Sequence, residues 1–344
     1  MLKHRKHTTI KEVADLAGVS IQTVSRVLND RPDVSPATRQ RVQQIINELG
    51  YQPYALARGL ASRQNRTLGL FASNLSDPFF AAAIAGANAE ALANAYLFML
   101  GSVELRGEDE SQYQHILAER RLAGMLFIRS GRVDDHAHLQ QLYNAGVPVV
   151  TTGFSQNDAA GQIEFTLVDV KNVEGGRKAT RYLIDLGHRQ IAMIEGPCAA
   201  KSTHDRSRGY CLAMHEAGIA PVPGLIAGGD WTHASGYAAM KQILAAGQPC
   251  SALFSHHDRM AIGAIAAIRQ SGLRVPQDVS VIGYDDVPEA AFADPPLTTI
   301  RQPSYEVGRM AAHLLIQRVE NPRLGPTQVL LDTELVLRAS CSRR

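Results

Sequence analysis

The sequence is poor in residues that staple or anchor a chain. Only four cysteines occur in 344 residues, Cys198, Cys211, Cys250 and Cys341, with no CxxC pair or other ligand spacing. That speaks against a disulfide framework or a zinc site and suits a reducing cytoplasm. No apolar run reaches the roughly 18 residues of a spanning helix, so no membrane segment is expected. The start, MLKHRKHTT, is basic but lacks the apolar segment and cleavage site of a secretory signal. No P-loop, GxSxG, HExxH or GxGxxG fingerprint is present, and nothing argues for catalysis. What remains is a globular composition, 45% hydrophobic and 20% charged. At about 150 residues per domain there is room for two to three domains, each able to bury a core without disulfide or metal.

The formal net charge of +2 conceals an asymmetry. Residues 1–66 hold 11 Lys/Arg against 5 Asp/Glu, and the rest hold 24 against 28. A basic head on an acidic body suggests that the head meets a polyanion.

The head is patterned as short helices. Thr9-Ile10-Lys11-Glu12 reads as a capping box, and Ile10, Val13, Ala14 and Ala17 then recur on one face. Gly18 ends that helix, Ser20 caps the next, and so tight a turn makes a helix-turn-helix. The second helix, about 21–29, turns Val24, Val27 and Leu28 to the core and Ile21, Gln22, Ser25 and Arg26 outward. Gln and Arg are the side chains that read adenine and guanine edges bidentately in the major groove, and the start of a recognition helix is where bases are met. Ile21, Gln22 and Arg26 are therefore the candidate major-groove residues, with Thr23 and Ser25 suited to the DNA backbone. Ser35-Pro36 starts a third helix that buries Val42, Ile45, Ile46 and Leu49 and stops at Gly50.

With its Gly18-Val19-Ser20 turn and its Thr23-Val24-Ser25-Arg26-Val27-Leu28-Asn29 run, the head resembles the lactose/galactose-repressor family of bacterial regulators. The resemblance continues through Glu48-Leu49-Gly50-Tyr51-Gln52-Pro53 and covers essentially the whole chain. Residues 53–66 start at Pro53 and carry Ala55, Leu56, Ala57 and Leu60, with Gly59 inside. So short a helix is marginal alone. The resemblance implies a hinge helix that orders on operator DNA, with Leu60 wedged into the minor groove to kink the duplex. The plainer reading is a linker whose Leu56 and Leu60 pack on the body.

From Thr67 onward short apolar runs alternate with helical stretches. LGLFAS (68–73), LFMLGS (97–102), GMLFIR (124–129) and VPVVTT (147–152) form a first series, with helices near 79–94, 107–120 and 135–145. TLVDV (166–170), QIAMIEG (190–196), LIAGGD (225–230), SALFSH (251–256) and VSVIGYDD (279–286) form a second. Such alternation predicts parallel sheets covered on both faces, hence an α/β body of two similar lobes. The resemblance implies a periplasmic-binding-protein-like body with crossings near 165, 298 and 324. The expected division is 1–52 for the helix-turn-helix domain, 53–66 for the hinge and 67–344 for effector binding and dimerisation. Lobe one takes about 67–164 and 299–323, and lobe two about 165–298 and 324–344.

Open parallel sheets bind ligands beyond their strand C-termini. The residues there are Asn74, Asp77, Phe79 and Phe80 after the first strand, and Arg206 and Arg208 after QIAMIEG. Trp231, the only tryptophan, follows LIAGGD. His256, His257 and Asp258 follow SALFS, and Asp285 and Asp286 follow VSVIGY. Carboxylates and a guanidinium beside an aromatic platform suit a small polyhydroxylated molecule. Each has a plainer reading. One of Phe79 and Phe80 is expected in the core, Arg208 on the surface, Trp231 in lobe packing and Asp258 as a helix cap. Asp286 is expected to cap or face solvent. The resemblance assigns effector binding to Arg206, Trp231, Asp258 and above all Asp285, and places His257 where many members have Asn. The chain also has Thr151-Thr152-Gly153-Phe154 where sugar-responsive members often carry a charge. A sugar, a sugar acid and a nucleoside all stay open, with carbohydrate preferred.

Adjacent residues at a strand end point to opposite sides, so His256-His257-Asp258 is not expected to hold a metal, and no cofactor is implied. The sequence thus reads as a cytoplasmic transcription regulator, a repressor by preference, with palindromic operator DNA and a small-molecule effector as partners. A solute-binding protein explains only the body, and an enzyme needs a catalytic pair that is not found. A constitutive or co-repressor-dependent regulator is the alternative within the leading class. The end, Leu335 to Arg344, carries no heptad tail, so a homodimer is expected rather than a tetramer.

Overall fold

The computed structural model describes residues 8–28, 30–51, 65–73, 75, 78–102, 122–128, 136–153 and 165–344, with backbone alone at 78, 79, 102 and 136–138. They fall into two compact units that divide between Asn65 and Arg66. The expected hinge helix with Leu60, and the expected helix near 107–120, lie outside the described residues.

The first unit contains α1 (Ile10–Ala17), α2 (Ile21–Leu28) and α3 (Pro36–Leu49). The Thr9 amide donates to Glu12 Oε2 at 2.7 Å, and the Glu12 amide returns a bond to Thr9 Oγ1, completing the capping box. Gly18 stops α1 at φ 61°, a left-handed conformation that a side chain would strain. Ser20 Oγ accepts the Thr23 amide at 3.1 Å, and Ser35 Oγ that of Thr38. These caps place Val13, Ala14, Ala17, Val24, Val27, Val42 and Ile46 in one small core.

The second unit begins with β1 (Thr67–Ala72), α4 (Pro78–Ala93), β2 (Leu97–Ser102), β3 (Met125–Ile128), α5 (His136–Asn144), β4 (Val149–Thr152) and β5 (Thr166–Val170). Then come α6 (Asn172–Asp185), β6 (Ile191–Glu195), α7 (Lys201–Glu216), β7 (Ile226–Gly228), α8 (His233–Ala245), β8 (Ala252–Ser255) and α9 (Asp258–Gln270). It closes with β9 (Ser280–Asp285), α10 (Pro288–Phe292), β10 (Thr298–Arg301), α11 (Ser304–Glu320), β11 (Gln328–Leu331) and β12 (Glu334–Val336). No helix among the described residues is long and apolar enough to cross a membrane.

The strands form two six-stranded sheets, ordered β11-β5-β4-β3-β1-β2 and β12-β10-β9-β8-β6-β7. Every pairing is parallel except β10 with β12. Side chains alternate across each sheet: Leu68, Leu70 and Ala72 join one core with α4 and α11, while Phe71, Met125 and Phe127 join another with Leu139 and Leu142 of α5. In the second lobe α8 and α9 cover one face, and α6 and α7 the other.

The exchange between lobes differs from the expected boundaries. TLVDV, assigned above to lobe two, is β5 of the first sheet, bonded to β4 and β11. The chain crosses at Lys171, again at Gln302–Pro303 and again at Asp332–Thr333, each a few residues beyond the position expected. Lobe one therefore runs 67–170 and 304–331, and lobe two 172–301 and 334–344. A buried pentapeptide reads alike in either sheet, and only its hydrogen-bond partners decide which one holds it. The first and third crossings are tied together by Lys171 Nζ to Asp332 Oδ1 and Lys178 Nζ to the Thr333 carbonyl, both at 2.8 Å.

Helix pairs cover the sheets by close approach at glycine. A Cβ on Gly308 would lie 1.8 Å from the Ala83 carbonyl oxygen, and one on Gly86 would lie 2.0 Å from that of Tyr305. Gly176 and Gly209 do the same for α6 and α7, and Gly236 and Gly263 for α8 and α9. Because the obstacle is backbone, Gly308→Ala must push α4 and α11 apart. A loss of about 1–3 kcal/mol in urea unfolding is expected, and an unchanged midpoint would show that the helices separate freely.

Candidate functional site

Two regions gather polar side chains that the cores do not use. In the first unit α2 turns Val24 and Val27 inward and leaves Ile21, Gln22 and Arg26 exposed, with Thr23 and Ser25 half-buried. Thr23 Oγ1 shares a 2.9 Å hydrogen bond with the capping Ser20 hydroxyl. Arg26 lies 3.4 Å from Asp33.

In the second unit the C-terminal ends of both sheets border one cavity of about 250 Å3. Lobe one contributes Ser73, Phe80, Thr152 and Asp169; lobe two contributes Asn172, Arg206, Asp230, Trp231, His257, Arg259 and Asp285; Gln302 stands at the crossing. Asp285 is the centre of this arrangement. Arg206 Nη2 donates to its Oδ1 at 3.3 Å, Gln302 Nε2 donates to the same oxygen, and His257 Nε2 lies 3.2 Å from Oδ2. The Arg259 amide donates to His257 Nδ1 at 3.0 Å, which assigns the imidazole proton to Nε2 and aims it at Asp285. Three of the roughly four acceptor sites of the carboxylate are thereby filled, leaving one for a donor in the cavity.

Arg206 is fixed from every side. Its Nε donates to Asn172 Oδ1 at 3.0 Å, its Nη1 to the His256 carbonyl, and its guanidinium stacks 3.7 Å over the Tyr284 ring. Trp231 stands 5.8 Å from the same guanidinium and 5.9 Å from the His257 ring, forming an aromatic wall. Trp231 and Asp285 both hold positive φ, 73° and 106°. Non-glycine residues there cost about 1–3 kcal/mol each, and such strain gathers at functional sites. Across the cavity, burial pushes the Asp169 carboxyl above the usual carboxylate range, against the pull of Lys201 3.4 Å away. Burial also opposes the Lys201 charge, but Asp169 and Asp205 together hold it above the usual lysine range.

Comparison with known proteins follows this division. Residues 9–54 match the bacterial regulatory proteins of the lacI family, and residues 180–341 match a periplasmic binding protein-like domain. The chain is 36% identical over 338 residues to the HTH-type transcriptional repressor CytR of Escherichia coli (strain K12), covering 98% of this chain and 97% of CytR. The chain belongs to the lacI family of bacterial regulatory proteins. Its fold matches the lac repressor dimer bound to operator and the anti-inducer ONPF with a TM-score of 0.87 at 31% identity, covering 98% of this chain and 100% of that one. It matches the CelR–cellobiose complex at 0.75 and 36% identity, covering 97% and 99%. The regulator is thus a DNA-binding transcription factor, and its relatives are regulators rather than enzymes.

The structure brings Phe80, Arg206, Trp231, His257 and Asp285 of the expected effector residues to one cavity. Asn74 and Asp77 lie outside the described residues, and the Phe79 side chain is likewise outside them. Phe80 also belongs to the lobe-one core, as one of that pair was expected to, and Arg208 is exposed. Asp258 is a correction. Its carboxylate is fully buried away from the cavity, accepting the Val287 amide at 2.9 Å and the Thr299 hydroxyl. The helix cap is His257, one residue earlier, so Asp258 is turned into the lobe instead. Asp286 neither caps nor faces solvent: Arg301 and Arg338 bridge it at 2.7 and 2.6 Å. His256 packs on Phe254 and takes a third direction. Asp169, Asn172 and Gln302 escaped the sequence reading. The strand-end rule would have found Asp169 and Gln302 had β5 been placed in lobe one and β10 been recognised.

Two measurements check these assignments. A Cβ on Gly196 would sit 1.9 Å from the Trp231 ring, and Trp231 is the sole tryptophan. Gly196→Ala should therefore shift tryptophan emission without any effector present, and an unaltered spectrum would place Trp231 elsewhere. Burial, with Asp285 and Asp286 nearby, raises the Asp258 carboxyl well above its ordinary range. A carboxyl raised in the folded state binds its proton more tightly there than when unfolded, so it adds stability as pH falls toward about 4. Wild type should gain on Asp258→Asn through that acidification in paired urea titrations, and a constant difference would count against a raised carboxyl.

Proposed function

We propose that this regulator is a homodimeric repressor whose affinity for a palindromic operator is set by an uncharged, single-ring sugar or sugar derivative held between its lobes. The observation that carries this reading is the cavity built around Asp285. Asp285 is matched by Arg206 and Asp169 by Lys201, while Asp230 and Arg259 add one charge of each sign to the lining, a balance that suits a neutral polyol over an acid. Its volume of about 250 Å3 falls below the roughly 300–1,000 Å3 of sites for larger ligands. CelR is known in complex with cellobiose, and a space of about 250 Å3 here favours one ring. The Asp285 acceptor left open meets a hydroxyl, and the Trp231–His257 wall covers an apolar ring face. That same wall favours a nucleoside as the second reading.

The DNA side of the proposal rests on α2. Ile21, Gln22 and Arg26 meet bases in the major groove, while Thr23 and Ser25 contact phosphates. Two heads in a dimer match two half-sites of a palindrome, with Leu60 as the minor-groove wedge. A regulator of chromosomal DNA acts in the cytoplasm. The effector changes operator affinity only as far as it binds one arrangement of the lobes better than another.

A thermal-shift panel of monosaccharides, disaccharides, sugar acids and nucleosides tests the reading. A hit among the monosaccharides is expected, worth about 2.7 kcal/mol at a hundredfold excess over Kd. Asp285→Asn should weaken that hit about 10- to 100-fold while DNA binding persists. Hits confined to disaccharides or acids would overturn the effector class, a nucleoside hit would install the second reading, and an undiminished Asp285→Asn response would move the site.

A further inference from the structure

We propose that Asp33 sets the base discrimination of α2 by holding the Arg26 guanidinium, acting as a positioning residue and not as a base reader. The proposal rests on the reading that α2 enters the major groove.

Arg26 Nη1 lies 3.4 Å from Asp33 Oδ2, with the two side chains 53% and 55% exposed. A pair so open to water adds little to folding stability. The segment that carries Asp33 is nonetheless well fastened. The Asp30 amide donates to the Val27 carbonyl at 3.1 Å and the Arg31 amide to that of Arg26 at 2.9 Å. Arg39 on α3 pairs with Asp30 and donates to the Arg31 carbonyl, and Ser35 caps α3 immediately afterwards. The carboxylate is therefore presented from a fixed base to one end of the guanidinium.

Two consequences follow at a DNA surface. With Nη1 held, the remaining N–H groups of Arg26 are free in number to form the two-donor fork that guanine O6 and N7 accept, and less side-chain freedom is lost on binding. The carboxylate also repels phosphates, which weakens binding to DNA of any sequence, and only a base that takes the Arg26 fork offsets that loss. Asp33 thus weakens binding to DNA in general and restores it where Arg26 finds guanine.

The test is a double-mutant cycle on the full chain with Asp33→Asn, Arg26→Ala and their combination. The probes are an operator duplex selected by the wild-type chain from a random-sequence library, each single base-pair variant of it, and a duplex of unrelated sequence. Asp33→Asn should bind unrelated duplex severalfold more tightly and lose about five- to tenfold of the discrimination at the base pair that Arg26 reads. Asp33→Glu should restore part of that preference. In the Arg26→Ala background, Asp33→Asn should tighten all sequences alike. Discrimination unchanged by Asp33→Asn would overturn the proposal, as would an equal loss in the Arg26→Ala background, which would make Asp33 a reader in its own right. If Arg26→Ala keeps the full base preference, the reading of α2 falls and the proposal with it.

Discussion

One carboxylate organises the ligand-facing half of the second lobe. Asp285 draws in Arg206 from α7, His257 from the turn before α9, and Gln302 from the crossing between lobes. Each donor is supported in turn: Arg206 by Asn172 and Tyr284, His257 by the Arg259 amide. A buried charge of this kind is tolerable only when paired and hydrogen-bonded. That requirement links three strand ends to one another. It also fixes the aromatic wall, because Trp231 can stand against Arg206 and His257 only where Gly196 leaves room for its ring.

The same logic accounts for where strain is kept. Among the described residues, five non-glycine positions have positive φ, and three of them, Trp231, Asp285 and Asp286, lie at the cavity or beside it. Asp286 faces away and locks Arg301 and Arg338, so the backbone turn that exposes Asp285 is anchored from behind. Rigid glycine contacts between helix pairs and a strained turn at the strand ends are complementary. The first hold the lobes as bodies, and the second presents side chains between them.

Local chemistry made much of this legible. The capping box at Thr9, the stop at Gly18 and the caps at Ser20 and Ser35 depend on neighbours three or four residues away, and they were readable for that reason. Arg206, Trp231, His257 and Asp285 were found because strand C-termini are where an open parallel sheet meets its ligand. The failures have one origin. Nothing within the short β5, TLVDV, tells which sheet will bond it, and β10, Thr298–Arg301, has only Ile300 as an apolar residue, so neither Asp169 nor Gln302 is legible from local pattern. Asp258 was misjudged because a helix N-terminus admits either a capping role or a buried one. The choice fell to Thr299 and the Val287 amide, distant in sequence.

The threefold crossing also governs the order in which the chain is made. Lobe one receives α11 and β11 only after almost all of lobe two has been synthesised. Until then Leu68, Leu70, Ala87 and Leu126 lack the cover that Val307, Ala311 and Leu315 supply, and β5 is an open edge. A nascent lobe one is thus an unfinished apolar surface on the ribosome, whereas most of lobe two is contiguous from Asn172 to Arg301 and awaits only its short antiparallel β12. That surface is covered, and the β5 edge paired, only once α11 and β11 emerge, and until then it is open to aggregation.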